Sequence, residues 1–525
     1  MYYFSFEYLP LFLGVTLLAY FITPITKRWI SLLIASLIFY VYYTGILCIF
    51  MLVTSLSIYF AALWLDKIDI CAGLSNEHLS VEEKVKYKNS STWQKKAVVF
   101  ILLLICLGTL VLLKYYNFVS GQLNQLLKML PLHLKLATLS IAIPLGISFY
   151  SLQAVSYVVD VYRGKVKANY NYAQVLLFLC FFPQIVEGPI GRYDNLAPQL
   201  YEGRRFNYLS FTHGMQLILW GLIKKIVIAN RASMLVNEVF NNHTKYSGAS
   251  IILAILLYTL ELYADFSGSI DVVTGSAQMF GINLAQNFRR PFFAGSIDEF
   301  WRRWHMTLGA WMRDYVFYPV SLSRPVTKLS GFLRNKKHPF LRKLSTVGIA
   351  LFSVWLLMGI WHGAGWKYLA YGMYYFALIM LGMIFEPLIC KAAGVVHLNR
   401  KSKPYRVLQV IRTFLLVNVG MLIFRASNLS EAFNMFISIF KWHGISNALL
   451  HLGVDAADLG VLGIGALLLF VTGLLQEKGI MLRQSIGKWP LPPRWALYMT
   501  GIFVLIIFGA YGSGYIPADL IYAKF

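Results

Sequence analysis

The sequence predicts an all-α polytopic membrane protein that forms a single domain over residues 1–525. Hydrophobic residues make up 58% of the chain, and its mean hydropathy is +0.61, which together are too apolar for a soluble protein of this length. Apolar runs suited to membrane spans, which need about 20 helical residues, recur from end to end. These observations exclude the soluble globular classes.

The charge of the chain is strongly positive, with a formal net value of +24. Lys and Arg lie mostly in segments between the apolar runs, which is typical of cytoplasmic loops. We therefore expect contact with membrane lipids and no nucleic-acid partner. The five cysteines are scattered and show no C-x-x-C spacing, so neither a metal site nor a disulfide framework is predicted.

The apolar runs predict about 11 transmembrane helices. Spans are predicted over residues 8–23, 30–44, 46–64, 97–113, 139–160, 249–280, 344–361, 368–385, 407–425, 459–475 and 493–511. An apolar helix is predicted over residues 208–230, and amphipathic helices are predicted over 118–136, in the membrane interface, and over 429–442. The polar stretch 66–96 is expected to be cytoplasmic, with room for a short surface helix.

A proline-rich segment interrupts the apolar run that begins at Val175. The segment Pro183-Gln184-Ile185-Val186-Glu187-Gly188-Pro189 cannot continue a helix that faces lipid, because its free backbone groups would find no water. We expect a re-entrant element, buried in protein or lining a cavity, with Gln184 and Glu187 as lining groups. A plain interfacial loop is the alternative.

The span 249–280 contains the carboxylate of Asp265. A charged group at the centre of a spanning helix costs about 2.5–3.5 kcal/mol. Asp265 is therefore expected to face the protein interior and to pair with an arginine from the pairs at 289–290 or 302–303. A structural ion pair is the preferred interpretation, and a direct catalytic role is the alternative.

One histidine, His305, falls within a predicted aromatic helix. Ser296 followed by Glu299 fits a capping box at its start, and aromatic or apolar residues then recur at helical spacing: Trp301, Trp304, Leu308, Trp311 and Tyr315. On this helix Arg302, His305 and Met312 would share a neighbouring face. The alternative is a histidine that only hydrogen-bonds a backbone carbonyl.

A second histidine, His362, lies at the junction of two apolar runs, in the sequence Trp361-His362-Gly363. A titratable ring in that position indicates a functional site, and neutral imidazole is a competent general base near pH 7. The alternative is an interfacial turn residue. The segment from Arg324 to Lys343 holds seven Lys or Arg residues and no acid, so we expect it to be cytoplasmic and His362 to lie away from that side.

Several short motifs follow one another along the chain. They are Phe181-Phe182-Pro183-Gln184 with Gly188-Pro189-Ile190, Tyr263-Ala264-Asp265-Phe266-Ser267-Gly268, Asn287-Phe288-Arg289-Arg290-Pro291, Glu299-Phe300-Trp301-Arg302-Arg303-Trp304-His305, Trp311-Met312-Arg313-Asp314-Tyr315, Met358-Gly359-Ile360-Trp361-His362-Gly363 and Phe424-Arg425-Ala426. Together they resemble the membrane-bound O-acyltransferase (MBOAT) family, above all its bacterial branch of alginate O-acetylation, peptidoglycan O-acetylation and teichoic-acid D-alanylation proteins.

The resemblance implies a ring of helices around a central funnel, with re-entrant and interfacial helices. It implies that His362 is the catalytic histidine and that His305 is a second, supporting one. Residues expected to line the substrate path or support it are Trp304, Arg302, Arg303, Arg313, Asp265, Trp361, Gln184 and Glu187. The family's alginate-type members carry a Gly-Gly turn where this chain has Tyr318-Pro319, which leaves the acceptor open.

The resemblance also implies the reaction. An acyl group, most simply acetyl, would pass from a cytoplasmic thioester such as acetyl-CoA to a hydroxyl on the outer side, with no tightly bound cofactor. His305 or a nearby Arg or Trp would steady the tetrahedral oxygen. We expect a bacterial cytoplasmic-membrane protein that modifies a cell-envelope polysaccharide or peptidoglycan, often through an extracellular or periplasmic partner. The alternatives are D-alanyl-type transfer from an acyl carrier protein and a transporter or flippase for an envelope precursor.

Overall fold

The computed structural model describes residue 4 and residues 7–75, 81–129, 135–139, 142–246, 248–441 and 453–511. Within these residues all regular secondary structure is helical, which confirms the all-α prediction. The chain forms two compact units. The first comprises Met1–Ile218 and Val273–Ala285, and the second comprises Leu219–Val272 and Gln286–Phe525.

Helices form most of the first unit. In chain order they are a π-helix Glu7–Leu13, α1 (Gly14–Ile22), a 3₁₀ turn Ile25–Lys27, α2 (Arg28–Thr44), a 3₁₀ turn Gly45–Leu47, α3 (Cys48–Ser75), α4 (Val81–Leu127), α5 (Ile147–Tyr162), α6 (Tyr172–Cys180), α7 (Tyr193–Tyr201) and α8 (Tyr208–Leu222), whose last residues belong to the second unit. Aromatic rings from different elements pack against one another in its core, and Phe182 contacts Phe12 with ring centroids 5.2 Å apart.

The segment that follows α6 is buried and non-helical. Asn171 begins α6 by accepting hydrogen bonds from the N–H groups of Ala173 and Gln174, and α6 ends at Cys180. Residues 181–191 are all buried, and Gly188 lies so close to Gln184 that a Cβ atom would overlap its backbone. The predicted interruption, buried in protein, is confirmed.

The structure differs from the prediction between residues 97 and 160. Helix α4 is continuous to Leu127, so the separate interfacial helix predicted over 118–136 is wrong for its described part, and residues 130–134 lie outside the described residues. Two polar side chains near the end of α4 bond to the chain that follows it: the amides of Asn117 and Asn124 hydrogen-bond the backbone of Leu139 and Leu136, respectively. The described residues of the polar stretch 66–96 belong to α3 and α4, and residues 76–80 lie outside the described residues.

The span predicted over 139–160 begins later than expected. Helix α5 starts at Ile147, directly after Gly146, which adopts a left-handed conformation with φ 76°. A Cβ atom at Gly146 would also overlap the carbonyl oxygen of Ile185, so both backbone conformation and close packing require glycine there. The turn after Pro144 therefore sets the beginning of the helix.

Helices also form most of the second unit. They are a π-helix Ile223–Ala229, α9 (Asn230–Asn241), a 3₁₀ turn His243–Lys245, α10 (Ala249–Met279), a 3₁₀ turn Pro291–Phe293, α11 (Ile297–Arg303), α12 (Met306–Met312), a π-helix Arg313–Phe317, α13 (Tyr318–Ser321), α14 (Arg324–Asn335), α15 (Pro339–His362), α16 (Trp366–Val395), α17 (Lys403–Arg425), α18 (Leu429–Ser438), α19 (Ala456–Glu477), α20 (Leu482–Gly487) and α21 (Leu491–Phe508). The last residues of α10 belong to the first unit.

Eight helical segments of the described chain are long and apolar enough to cross a membrane. The first, Ile25–Ala72, contains both α2 and α3, and the shorter apolar helix Glu7–Ile22 precedes it. The predicted spans from residue 249 onward are confirmed as helices α10, α15, α16, α17, α19 and α21. The helix predicted over 429–442 is α18, although Trp442 lies outside the described residues. The chain is thus an all-α, multi-pass membrane protein.

Helices α15 and α16 form a tightly packed hairpin. Gly372 on α16 faces α15, where an added Cβ atom would overlap the carbonyl oxygen of Trp355 and lie 3.3 Å from Gly359 Cα. The rings of Trp355 and Tyr375 stack beside this crossing, with centroids 5.5 Å apart. Two glycines therefore allow the backbones to approach closely.

Alanine at Gly372 tests this close packing. We expect Gly372→Ala to lower the free energy of unfolding by about 1–3 kcal/mol, because the new methyl group has to displace backbone atoms. The matched control is Gly382→Ala on the same helix, where a Cβ atom meets open space. Thermal unfolding of both variants in detergent checks this, and equal midpoints would contradict it.

Candidate active site

The aromatic helix predicted from Ser296 to Tyr315 is broken at its centre. Helix α11 ends at Arg303, Trp304 is extended, and His305 adopts a left-handed conformation with φ 45° and ψ 52° before α12 begins at Met306. The predictions of one continuous helix and of a face shared by Arg302, His305 and Met312 are therefore wrong. A left-handed backbone is uncommon for a residue with a side chain and is often found at functional sites.

The start of α11 agrees in large part with the prediction. The Ser296 hydroxyl accepts a hydrogen bond from the Glu299 N–H at 3.1 Å, as a capping residue does. The Glu299 carboxylate accepts the Gly295 N–H at 2.9 Å, one residue before the position that a capping box would use. It also pairs with Arg303 and Arg406. Because these cations are close and the Gly295 N–H donates to it, the pKa of Glu299 is lowered although burial opposes this.

A second segment, Asn287 to Arg289, runs along the break and satisfies its backbone groups. The Arg289 N–H donates to the Arg303 carbonyl and the Met306 N–H donates to the Asn287 carbonyl, each at 2.9 Å. The side-chain oxygen of Asn287 accepts the N–H of Thr307 at 3.2 Å and its hydroxyl at 2.8 Å. Polar groups that the broken helix would leave unpaired are therefore bonded.

The imidazole of His305 is held by the same asparagine. Its Nδ1 lies 3.1 Å from Asn287 Oδ1, and its ring packs edge-on against Phe266, with centroids 4.9 Å apart. The residue is only 3% exposed. Burial lowers the pKa of His305 to about 3, so the ring is neutral near pH 7.

His362 is the last residue of α15 and lies in a cage of aromatic rings. The rings of Tyr371 and Phe424 stand nearly perpendicular to it at centroid distances of 5.6 and 5.2 Å. The next residue, Gly363, lies against the ring of Tyr368, which a Cβ atom would overlap. The histidine is only 2% exposed, so bulk water has little access to it.

Trp361 connects the two histidines. Its indole lies 5.9 Å from the His305 ring and 5.1 Å from the His362 ring, measured between centroids. Both imidazoles are thus brought to one site, although they come from elements that are 57 residues apart in sequence. A buried pair of imidazoles in an apolar setting is suited to proton transfer.

Asp265 is buried in an ion pair, but its partner is not an arginine. It pairs with Lys225 on the π-helix Ile223–Ala229, and both side chains are at most 5% exposed. Next to them Lys224 pairs with Asp271 at 2.8 Å and donates to the Ser267 hydroxyl at 2.9 Å. The arginine partner predicted from the sequence is therefore wrong, while the ion pair itself is confirmed.

Close packing of two glycines makes this pairing possible. A Cβ atom at Gly268 would lie 2.8 Å from the carbonyl oxygen of Gly221, just before the lysines. The backbones therefore approach closely enough for the lysines to reach α10. Asp265 also precedes Phe266, whose ring contacts His305, so the ion pair lies one residue from the wall of the site.

The other predicted residues of this unit have different surroundings. Trp304 is buried against Phe288 and Phe300, and Arg303 pairs with Glu299 and Glu477. Arg302 and Arg313 are more than half exposed and pair with the neighbouring carboxylates of Asp298 and Asp314. The structure therefore brings Trp361 to the two histidines directly, but not Arg302 or Arg313.

The two predicted lining residues of the first unit are buried there. Gln184 and Glu187 are at most 2% exposed. The side-chain nitrogen of Gln153 points to the same side of Gly191 as that of Gln184. Their role as lining groups stays a prediction. Across the described ranges no three His, Cys, Asp or Glu side chains are grouped in a way that could hold a metal ion.

Sequence reasoning missed several residues that shape the site. Asn287 and Thr307 hold His305, Tyr371 and Phe424 enclose His362, and Lys225 neutralises Asp265. Asn287 and Phe424 stood in motifs that carried the family resemblance, but nothing in their spacing connected them to a histidine. Lys225 had a usable signal, because a lysine inside an apolar helix needs a buried partner.

Comparison with known proteins gives a consistent result. The sequence model of MBOAT, the membrane-bound O-acyltransferase family, matches residues 34–422. The probable alginate O-acetylase AlgI of Pseudomonas syringae pv. tomato is 32% identical over 440 residues, which cover 84% of this chain and 74% of that protein.

Two further relatives are named for other polymers. The peptidoglycan O-acetyltransferase of Helicobacter pylori is 29% identical over 350 residues, 61% of each chain. The teichoic acid D-alanyltransferase of Bacillus subtilis is 30% identical over 247 residues, 46% of this chain and 59% of that protein.

Removal of one member of the buried ion pair tests its structural role. We expect Asp265→Asn to lower the free energy of unfolding by about 3–5 kcal/mol, because it leaves the Lys225 cation buried without its carboxylate. An Asp265→Leu/Lys225→Met double variant should recover most of the loss. The control, Asp298→Asn, breaks an exposed pair and should change stability by at most about 1 kcal/mol. Thermal unfolding decides, and a double variant no more stable than Asp265→Asn would contradict the ion-pair interpretation.

Proposed function

Because the chain belongs to the membrane-bound O-acyltransferase family, we propose that it moves an acyl group, most simply acetyl, from a cytoplasmic thioester donor to a hydroxyl on the outer side of the membrane. The observation that carries this proposal is the buried pair of imidazoles, His305 and His362, joined by Trp361. The acceptor is a cell-envelope polysaccharide or peptidoglycan, reached directly or through a partner protein outside the membrane.

His362 acts as the general base in this proposal. A nitrogen of its imidazole takes the proton of the acceptor hydroxyl while that oxygen forms a bond to the acyl carbon. The carbon–sulfur bond then breaks, and the imidazolium returns the proton to the departing thiolate. The apolar cage of Tyr371 and Phe424 supports this role, because it limits the access of water that would hydrolyse the thioester.

An indole is a suitable donor for the developing oxyanion. Trp301 packs against Trp355 and also contacts Tyr371, which itself borders His362. The Trp301 Nε1–H is buried and has no hydrogen-bond partner among the described residues. An unpaired buried donor is costly, and an acyl oxygen of the substrate would satisfy it.

The donor enters from the face that carries the basic segment between Arg324 and Lys343. Its seven Lys and Arg side chains are all exposed, and this charge would attract the phosphates of coenzyme A. A second candidate is D-alanyl-type transfer, in which a small acidic carrier protein docks there. It is favoured by the apolar side chains exposed among these cations, such as Phe332 and Leu322. In both candidate functions the protein lies in the bacterial cytoplasmic membrane.

Loss of the His362 imidazole is the first test. We expect His362→Ala to lower acyl transfer by about 10²- to 10⁴-fold, the usual contribution of a general base. Transfer is measured with purified protein from radiolabelled acetyl-CoA and, separately, from an acylated carrier protein. The control is His338→Ala, which removes an exposed histidine at the other end of α15.

The possible outcomes of this test distinguish the two candidate functions from each other and from the absence of acyl transfer. Wild-type transfer from the carrier protein alone would favour the second candidate, and transfer from neither donor would contradict the proposed function. Activity that survives His362→Ala in a folded protein would remove His362 from the chemistry.

Replacement of Trp301 tests the oxyanion donor. Trp301→Phe keeps an aromatic ring but removes the N–H. We expect kcat to fall by about 10- to 100-fold, because loss of one oxyanion donor typically lowers kcat by about 10²- to 10³-fold. Trp355→Phe removes a similar area from the same cluster and should have a smaller effect. Equal losses in the two variants would mean that packing, not the N–H, matters.

A further inference from the structure

We propose that Asn287 is a positioning residue, which fixes His305 as the tautomer with its proton on Nδ1 and its lone pair on Nε2. His305 then accepts a hydrogen bond from a hydroxyl of the acceptor and cannot donate one to the oxyanion while it is neutral. This inference rests on the proposed acyl transfer for its functional meaning, whereas the tautomer itself can be measured without substrate.

The orientation of the Asn287 amide is the first step of the argument. A backbone N–H can only donate, and that of Thr307 points at Asn287 Oδ1 from 3.2 Å. The Thr307 hydroxyl lies 2.8 Å from the same oxygen. The atom in this position is therefore the carbonyl oxygen, because an amide NH₂ would face the Thr307 N–H with a second donor.

The tautomer of His305 follows from that orientation. Its Nδ1 lies 3.1 Å from the same carbonyl oxygen, which has only lone pairs to offer. An attractive contact requires a proton on Nδ1. In a neutral imidazole the other nitrogen, Nε2, then carries the lone pair.

The ring cannot easily adopt the alternative arrangement. The His305 backbone is in a left-handed conformation, and the Met306 N–H is bonded to the Asn287 carbonyl. Phe266 and Trp361 contact the ring. A flipped ring would place a carbon atom against Asn287 Oδ1 and lose the hydrogen bond.

Several charged groups on the elements near His305 are in ion pairs. On α10, Asp265 pairs with Lys225. On α11, Glu299 pairs with Arg303 and Arg406, and after α12 the Asp314 carboxylate pairs with Arg313. Other titratable groups on these elements include Glu261, Tyr263 and Asp271 on α10, Asp298 and Arg302 on α11, and His362 on α15. The neutral amide of Asn287, whose oxygen lies 3.1 Å from Nδ1, selects the tautomer.

This tautomer gives the two histidines different chemical roles. A neutral imidazole with its lone pair on Nε2 repels an oxyanion, so His305 is not the donor that the sequence suggested. It holds an acceptor hydroxyl instead, and the donor to the oxyanion is an N–H from another residue. Protonation of His305 would remove its lone pair and this function.

Asparagine 287 variants test the inference through activity. Asn287→Leu keeps the volume but removes the acceptor, and we expect kcat to fall by about 10-fold or more, by analogy with other partners that orient a functional imidazole. Asn287→Asp places a carboxylate against the Nδ1–H and stabilises imidazolium, so the pKa of His305 rises by about 1–3 units. As the pH is lowered, the Asn287→Asp variant should therefore lose activity at a higher pH than the wild type does.

The matched control is Asn418, another buried asparagine of the same unit. Its Oδ1 accepts a hydrogen bond from the Thr259 hydroxyl at 2.7 Å, but no histidine is bonded to it in the described structure. Asn418→Asp and Asn418→Leu should leave the pH profile unchanged. If Asn418→Asp also lost activity at a higher pH than the wild type, the effect would be a general one of buried charge, and the inference would be overturned.

Nitrogen-15 NMR of the histidine-labelled protein measures the tautomer directly, with the His305→Gln spectrum used for assignment. The wild type should show a protonated Nδ1 and an unprotonated Nε2 at His305, and Asn287→Leu should lose this pattern. A protonated Nε2 in the wild type would overturn the inference while acyl transfer by His362 could stand. Absence of acyl transfer from either donor would contradict the proposed function, and the tautomer would still be decided.

Discussion

The break between Trp304 and His305 depends on one side chain and one short segment of backbone. A helix that stops and starts again within two residues leaves peptide donors and acceptors without partners, and each buried one costs about 1–3 kcal/mol. The Asn287 carbonyl and side-chain oxygen and the Arg289 N–H satisfy these groups at the break. The direction of the His305 ring is set by the same bonds, so the stability of the break and the geometry of the site are inseparable.

The second histidine has a different environment. His362 ends a long helix, and its ring packs against the rings of Tyr371 and Phe424. Glycines at the hairpin crossing and directly after the histidine leave the space that Tyr368 and the backbones of α15 and α16 occupy. The His305 imidazole is therefore bonded to Asn287, and the His362 imidazole is packed among aromatic rings. Such a pair can combine a precisely oriented group with one whose protonation changes during a reaction.

The sequence predicted the class of fold and the principal histidines, and its errors have physical causes. Hydrophobic length identifies spans well, because lipid imposes it directly. Helical periodicity, in contrast, continued through Trp304. The aromatic spacing gives no sign of the break, because residues outside the helix bond the backbone groups that the break leaves open. The amphipathic pattern of residues 118–136 suggested an interfacial helix, because the backbone partners of a polar residue such as Asn124 lie in a segment that returns later in the chain. Asp265 was assigned to arginines that turned out to have carboxylates nearby.

The paired charges of α10 also affect how the chain enters the membrane. Lys224, Lys225, Asp265 and Asp271 would together cost on the order of 10 kcal/mol if each were exposed to lipid separately. As two neutral pairs, they avoid most of that cost. The helical segment that ends at Asn241 and the helix that begins at Ala249 are separated by a short connection. A hairpin of these two segments with its charges already paired would therefore enter lipid at a lower cost than either segment alone.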